Sequence, residues 1–125
     1  MKICVLFGGE QAPCSILPQL QQAVSALIEQ QGVRLFYYRR RGDFGEAAAL
    51  VLQWAKLQYP QIESYAVSNV ADKSATLRII PYKNGPESLT NWLLKQAHYV
   101  IVYASDADKA LATATGKTVI ELPSR

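Results

Sequence analysis

Short runs of β-branched and aromatic residues alternate with longer amphipathic segments along this chain. The runs at 2–7, 33–38, 62–67, 99–103 and 118–122 have the length and composition of strands. Segments with helical periodicity lie between most of them. Since a strand, a helix and a second strand in succession form a parallel βαβ unit, the pattern predicts an α/β fold, a three-layer α/β/α sandwich with a mainly parallel sheet.

Capping residues delimit the first predicted helix. Ser15 is placed to cap it, Pro18 falls in its first turn, and Gly32 follows it as a C-cap. The helix is expected to bury one apolar face, which is formed by Leu20, Ala23, Val24, Leu27 and Ile28.

The second predicted helix follows the second strand. Asp43 and Glu46 have the spacing of a capping box, in which one side chain accepts from early helix amides and the other reaches back. The helix is expected to run to Tyr59, because Pro60 stops it. Its inward-facing residues are predicted to be Ala47, Leu50, Val51, Trp54 and Leu57.

The second half of the chain is predicted to hold two further helices. Turn residues at 84–86 separate an extended piece at 77–82 from a short helix at 87–96. The apolar strand at 99–103 is of the type buried on both faces, and a last helix, capped by its first residue, is predicted at 105–115. The short helix is expected to bury Leu89, Trp92 and Leu93.

Length and composition limit the classes of protein to which this chain can belong. Its 125 residues, half of them apolar, fit one globular domain spanning residues 1–125. No uncharged apolar stretch approaches the roughly 18 residues of a membrane helix, so no membrane partner is expected. A net charge of +3 without a basic tail does not favour nucleic acid as a partner. Two cysteines are too few for a disulfide framework, and a cytoplasmic location with reduced thiols is expected.

Three predicted loops lie where an open parallel sheet binds its ligands, beyond the carboxyl ends of the strands. They are the loops at 8–14, 39–43 and 104–108, and each precedes a helix whose N-terminal amides favour an anion such as phosphate. The predicted ligand-binding residues are Gly8, Gly9, Arg39, Arg41, Gly42, Asp43, Ser105 and Asp106.

Each of these residues also has a purely structural interpretation. The glycine pair would let a ligand approach the backbone, but it suits a tight turn equally well. Arg39 and Arg41 share a side of the strand and could clamp a phosphate, whereas a solvated basic turn explains them as well. Asp43 could contact a ribose hydroxyl or a metal, although capping accounts for it. Ser105, Asp106 and Asp108 could bind hydroxyl groups or a cation. The first turn of a helix favours acidic residues in any case, so the two aspartates also have a structural explanation.

The sequence contains none of the common motifs for catalysis or cofactor binding. No Walker-type or Gly-x-Gly-x-x-Gly sequence and no metal-ligand cluster is present, so neither a cofactor nor a metal is expected. Cys14 has no histidine nearby, and His98 is predicted at the opposite edge of the sheet from the site. Trp54 and Trp92 are assigned to the core. Four tyrosines could stack on a base, although aromatic residues at strand ends more often pack the core or its rim; they are Tyr37, Tyr38, Tyr82 and Tyr103.

Several short motifs occur in order from the second strand to the last. They are Gly42-Asp43-Phe44, Tyr59-Pro60, Trp92 seven residues ahead of Tyr99-Val100-Ile101, Lys109-Ala110-Leu111, Gly116-Lys117 and Val119-Ile120. Together they resemble the SLOG superfamily, and more narrowly its small bacterial members of uncharacterised function. That superfamily is related to the Lonely Guy phosphoribohydrolases and to DNA-processing DprA proteins. The resemblance implies a Rossmann-like fold and a pocket, formed by glycine-rich loops, for a nucleotide or nucleotide-derived ligand.

The chain departs from the SLOG pattern in its loops. Arg39–Arg41 stand where glycines are expected, and Ser105-Asp106 stand where a glycine pair is expected. Leu89-Thr90-Asn91 replace polar residues ahead of Trp92. Bulky side chains in place of glycine would narrow a phosphate-binding loop, and an aspartate would repel the phosphate. Either this chain binds a different ligand from the SLOG proteins or it has lost the ligand site. The glutamate-bearing Pro-Gly-Gly signature of the phosphoribohydrolases is absent, so the resemblance does not imply that this chain has their hydrolase activity.

Three functions are open at this point. The first is a binding or sensing domain for a nucleotide or nucleotide-derived phosphorylated ligand. The second is a hydrolase or transferase acting on the N-glycosidic bond of nucleotides, with Asp43 or Asp106 as the carboxylate and an arginine holding phosphate. The third is a scaffold that has lost its ligand and works as a homo-oligomer or through a partner interface. A closed pocket would favour the scaffold.

Overall fold

The computed structural model describes residues 2–8, 15–39, 42–68, 79–81, 89–103 and 106–122, which form six strands and four helices. The strands are β1 (Ile3–Gly8), β2 (Leu35–Arg39), β3 (Glu63–Ser68), β4 (Ile79–Pro81), β5 (Tyr99–Tyr103) and β6 (Thr118–Leu122). The helices are α1 (Ile16–Gln31), α2 (Gly42–Gln58), α3 (Leu89–Gln96) and α4 (Asp106–Ala114).

All of these strands lie in one sheet, in the order β4-β3-β2-β1-β5-β6, and every neighbouring pair is parallel. The chain builds outward from β1 through β2 and β3 to β4. It then returns to the other side of β1 for β5 and β6. The strand order therefore reverses between β1 and β5, and the predicted α/β class with a parallel sheet is confirmed.

Successive residues of β1 point to opposite faces of the sheet, as strand geometry requires. Cys4 and Leu6 belong to one core cluster, together with the buried sides of α1 and α2. Val5 and Phe7 belong to a second cluster, together with buried residues of α3 and α4. Burial of each such apolar side chain stabilises the fold by about 1.5–3 kcal/mol. A helical layer on each face of the sheet gives the predicted three-layer sandwich.

Both ends of α1 lie where they are predicted, but the start lacks the expected side-chain hydrogen bond. Gly32 adopts a left-handed conformation, with φ 70° and ψ 28°, and its amide donates to the Leu27 carbonyl. The Val33 amide donates to the same carbonyl, so Val33 belongs to the helix-ending turn and β2 begins at Leu35. Ser15 occupies the predicted N-cap position directly before Ile16, but its backbone angles are helical and its hydroxyl makes no capping hydrogen bond.

The buried face of α2 differs from the predicted one. Ala47 and Val51 are buried and Trp54 packs against the core, but Leu50 is 57% exposed and Leu57 is 80% exposed. Since residues seven apart share a helix face, the two exposed leucines face solvent together. Small side chains instead bring α2 close to the sheet, and the buried residues of its middle section are Ala47, Ala48, Ala49, Val51, Leu52 and Ala55.

The elements of the second half lie where they are predicted. β5 and β6 have the predicted bounds, and α3 and α4 fall inside the predicted ranges. Leu93 is buried and Trp92 is partly buried, as expected, whereas the side chain of Leu89, the turn at 84–86 and the cap at Ser105 lie outside the described residues. Within the ranges given above, none of the helices has the length and apolarity to cross a bilayer.

Candidate functional site

Open α/β sheets bind ligands where the strand order reverses, and in this sheet that place is the carboxyl ends of β1 and β5. β1 ends at Gly8, which is aligned with Tyr103 at the end of β5. β2 ends nearby at Arg39, one residue beyond the aligned pair Leu6 and Tyr38. A helix that connects parallel strands runs antiparallel to them, so the helices direct their N-terminal ends to this edge. Both the topology and the helix dipoles favour an anion here.

The space directly over Gly8 is filled by a side chain of α2. A Cβ atom at Gly8 would lie 2.1 Å from Cγ of Phe44 and 2.4 and 2.5 Å from its two Cδ atoms. Phe44 is buried, and its ring stacks on Tyr103, with centroids 6.0 Å apart and planes 4° apart. Gly8 is not one of the glycines with positive φ, so this position requires glycine for space and not for backbone conformation. On the α1/α2 face, the room that Gly8 creates is taken by Phe44.

Gly42 and Asp43 form the start of α2. Gly42 has φ 68°, the left-handed conformation that favours glycine, and this turn directs the chain from β2 into the helix. Asp43 is exposed in the first turn of α2, where a carboxylate is stabilised by the helix amides and dipole. The helix therefore begins one residue before the predicted cap. The position of Asp43 is explained by helix stability alone.

Arg39 points to the other face of the sheet, that of α3 and α4. Its guanidinium carbon lies 4.8 Å from the centroid of the Phe7 ring, within cation–π distance. Its Cα is aligned with that of buried Val67 in β3, and the arginine itself is partly buried. Contact with a ring uses the flat face of a guanidinium, whereas hydrogen bonds to oxyanions use its N–H edge. The two kinds of contact are compatible in one guanidinium, and the contact with Phe7 restricts where the Arg39 side chain lies.

Three aromatic side chains, here called the aromatic face, lie on the same side of the sheet as Arg39. Tyr37 precedes Arg39 by two residues in β2 and so shares its face. The Tyr37 centroid is 6.0 Å from that of Tyr65 in β3 and 5.7 Å from that of Trp92 in α3. All three side chains are partly buried. The residues of β2 that point to the opposite face, Phe36 and Tyr38, are fully buried.

Glu63 gives this side of the sheet a charge gradient. It lies at the start of β3, and the Tyr65 hydroxyl donates a hydrogen bond of 2.6 Å to its Oε2. Partial burial raises the pKa of the Tyr37 hydroxyl, and the negative charge of Glu63 raises that pKa further. Tyr37 is therefore neutral at physiological pH. A carboxylate lies toward the amino edge, neutral aromatic rings lie in the middle, and a guanidinium lies at the carboxyl edge.

The structure brings together only part of the predicted site. Gly8, Arg39, Gly42 and Asp43 all lie at the carboxyl edge, as predicted. Asp106 begins α4 after β5 at the same edge, and its side chain is outside the described residues. Also outside the described residues are Gly9, Arg41 and Ser105.

Nucleophile and metal chemistry find no support in the described residues. No group of three or more histidine, cysteine or acidic side chains that could hold a metal occurs among them. Cys4 is fully buried in β1, and burial raises the pKa of its thiol, so it is not a nucleophile. His98 lies at the amino edge of the sheet, opposite the candidate site, as predicted. Its Nδ1 accepts a hydrogen bond of 3.1 Å from the Ile3 amide.

Two features of the candidate site have no counterpart in the sequence-based prediction. Phe44 is named there only within a motif, and Tyr65 is not named at all. The only available signal is alternation, which places Tyr37 and Arg39 on one face of β2 and would place Tyr65 and Val67 on one face of β3. The alignment of those two strands, and the approach of Phe44 to Gly8, depend on tertiary packing.

Comparison with known proteins supplies no relative from which a function could be transferred. No family model, no curated protein and no solved structure matches the chain. The site is therefore interpreted from its own geometry.

Proposed function

We propose that the protein binds a nucleotide or nucleotide-derived phosphorylated ligand at the carboxyl edge of the sheet, as a binding or sensing domain without catalysis. The observation that carries the proposal is the position of Arg39. Its guanidinium is held over the Phe7 ring at the end of β2, beside the reversal of strand order. Open α/β sheets bind their ligands at such a place.

The size of the electrostatic contribution supports an anionic ligand. A hydrogen bond to a charged group contributes about 1.5–3 kcal/mol, which is a factor of roughly 10 to 150 in affinity. A helix N-terminus adds about 0.3–1 kcal/mol for a nearby anion. Arg39 and one helix end together contribute about 2–4 kcal/mol, which corresponds to millimolar binding at best, so a tighter ligand needs contacts beyond its phosphate group.

The nucleotide class of ligand and the lack of catalysis have separate support. The resemblance to the SLOG superfamily favours a nucleotide or a derivative of one. The absence of the glutamate-bearing Pro-Gly-Gly signature, and the structural explanation of Asp43 as a first-turn carboxylate, favour binding over hydrolysis of a glycosidic bond.

The proposal is tested by calorimetry and thermal-shift measurements at low ionic strength, with nucleotides, NAD-derived compounds and sugar phosphates as probes. We expect Arg39→Ala to weaken any phosphate-bearing probe by roughly 10 to 150-fold. The matched control is Arg34→Ala, which removes the same charge from an exposed arginine just before β2, at the amino edge. Binding that falls equally in both variants, or no binding by any probe, would overturn the proposal.

A scaffold without a ligand is the second candidate, and the packing of Phe44 is the observation that favours it. The ring fills the space over Gly8 and covers one side of the Tyr103 ring. A scaffold would act through contacts with other chains. A defined oligomer in solution, measured by light scattering, combined with no response to any phosphorylated probe, would favour the scaffold over the binding domain.

A further inference from the structure

At the carboxyl edge, the two sides of the sheet differ in the space and the aromatic surface that a ligand could contact. On the α1/α2 side, the aromatic platform of Tyr103 is stacked against Phe44, and the same ring lies over Gly8. A ligand ring could enter there only by displacing a buried phenylalanine. Removing such a side chain from a core costs about 3–5 kcal/mol. Among the described residues, this side of the edge therefore leaves no room for a planar ring over Gly8.

On the α3/α4 side, the aromatic face is only partly buried and lies beside a cation. Tyr37, the central ring of the group, is two residues from Arg39 along β2, and two residues of strand span about 6.6 Å. That separation is comparable to the distance between the base and the phosphate of a nucleoside monophosphate. Rings and guanidinium share one face, so one small molecule can reach both.

The charge gradient along this face selects an orientation. Glu63 lies beyond Tyr65 toward the amino edge and accepts the Tyr65 hydroxyl proton in a hydrogen bond. A phosphate placed at that end would face a carboxylate, whereas at the other end it meets Arg39. The ligand is therefore oriented with its anionic group toward the carboxyl edge and its ring over β2 and β3.

From these observations we propose that the aromatic face of Tyr37, Tyr65 and Trp92 is the ring-binding half of the site, and that it takes the planar base of a nucleoside monophosphate whose phosphate binds Arg39. This inference rests on the proposed function and adds to it the location and the chemistry of the second half of the ligand. Tyr37 is the specificity-determining residue, because it lies between the other two rings and nearest in sequence to Arg39.

The two tryptophans of the chain provide the readout. Trp92 belongs to the aromatic face, whereas Trp54 is on α2 and packs against the core on the opposite side of the sheet. A Trp54→Phe variant leaves Trp92 as the sole tryptophan, so excitation at a wavelength that tyrosine does not absorb reports on Trp92 alone. We expect AMP to change its emission at saturation and ribose 5-phosphate, which lacks the base, to change it far less. The Trp92→Phe variant, which reports from Trp54, should show no change with either probe.

Affinity measurements on Tyr37 variants complete the test. Stacking of a base on an aromatic side chain corresponds to a factor of roughly 5 to 150 in affinity. Tyr37→Leu should therefore weaken AMP by about tenfold and leave ribose 5-phosphate within about twofold, whereas Tyr37→Phe, which keeps the ring, should bind both as the wild type does. Circular dichroism of each variant verifies folding. If Tyr37→Leu fails to fold, the single-tryptophan comparison of the two probes decides alone.

The outcomes separate this inference from the proposed function. If AMP and ribose 5-phosphate bind with equal affinity, depend on Arg39 and leave Trp92 unaffected, the anion site stands and the ring-binding half is wrong. If neither AMP nor ribose 5-phosphate binds in calorimetry, the ring-binding half is wrong, and the proposed function fails with it only if the NAD-derived compounds and the other phosphorylated probes also do not bind. A selective loss of AMP in Tyr37→Leu, restored by Tyr37→Phe, supports both.

Discussion

Replacement of Gly8 by alanine should destabilise the fold, and the size of the loss should depend on Phe44 in α2. The added Cβ would lie 2.1 Å from Cγ of Phe44, whereas carbon atoms in ordinary contact are about 3.5–4.0 Å apart. The ring would have to retreat by roughly 1.5 Å, although it is buried and stacked on Tyr103. Overpacking of this kind destabilises a protein by about 1–3 kcal/mol.

The same substitution should be harmless or favourable once the ring is removed. In a Phe44→Ala background the clash no longer exists, and alanine in a strand is more stable than glycine by about 0.5–1 kcal/mol. The effect of Gly8→Ala should thus change sign between the two backgrounds, with a coupling free energy of at least about 1.5 kcal/mol. Phe44→Ala alone should destabilise by about 3–5 kcal/mol.

The measurement is a double-mutant cycle by urea unfolding, followed by circular dichroism. If Phe44→Ala is too unstable to give a folded baseline, the cycle is measured in a stabilising osmolyte, because leucine or valine at position 44 would keep an atom at the Cγ position that meets the added Cβ. Gly116→Ala is the control, because Gly116 follows α4 at the amino edge and should be additive with Phe44→Ala to within about 0.5 kcal/mol. Equal losses for Gly8→Ala in the presence and absence of the Phe44 ring would refute the close packing described here.

Three further predictions concern the helix end, the buried thiol and the central tyrosine. Gly32→Ala should destabilise by about 1–2 kcal/mol in urea unfolding, because φ 70° strains alanine although its methyl group would meet nothing within 4 Å; an unchanged midpoint would contradict this. In a Cys14→Ser background, Cys4 should react with a thiol reagent only on unfolding, since burial blocks access and raises its pKa; rapid reaction of the native protein would contradict this. Because the pKa of Tyr37 is raised in the folded protein, its contribution to stability is fully present below the ordinary pKa of 10 and is lost as pH rises through the folded pKa. The Tyr37→Phe variant should therefore lose less stability than the wild type at alkaline pH.

The strands of the last quarter of the chain are the parts most fully predicted from sequence. β5 is a continuous apolar run and β6 is a β-branched run after a glycine turn, so local composition fixes both. The C-terminal end of α1 was equally accessible, because a left-handed glycine after an amphipathic helix is a local signal. In each case the determining interactions lie within a few residues of one another.

The inward face of α2 and the occupant of the Gly8 space were not accessible in the same way. Leu50 and Leu57 fit the helical spacing of the other predicted inward residues, so a periodicity argument selects them, but the packed structure buries Ala48, Leu52 and Ala55 instead. Gly8 and Phe44 meet because the crossover from β2 places α2 beside β1, which no local pattern encodes. Phe44 and the aromatic face are therefore results of the tertiary structure.

The central place of β1 in the sheet has a consequence for how the chain is made. One edge of β1 pairs with β2, which is synthesised soon after it, but the other edge pairs with β5, and the Ile3 amide bonds to a residue 95 positions further on. Such long-range parallel pairing is slow to form. While the ribosome is still adding the last quarter, an apolar strand edge stays unsatisfied and open to association with other nascent chains. Shortened chains that stop before β5 should therefore accumulate as aggregates and not as partly active fragments.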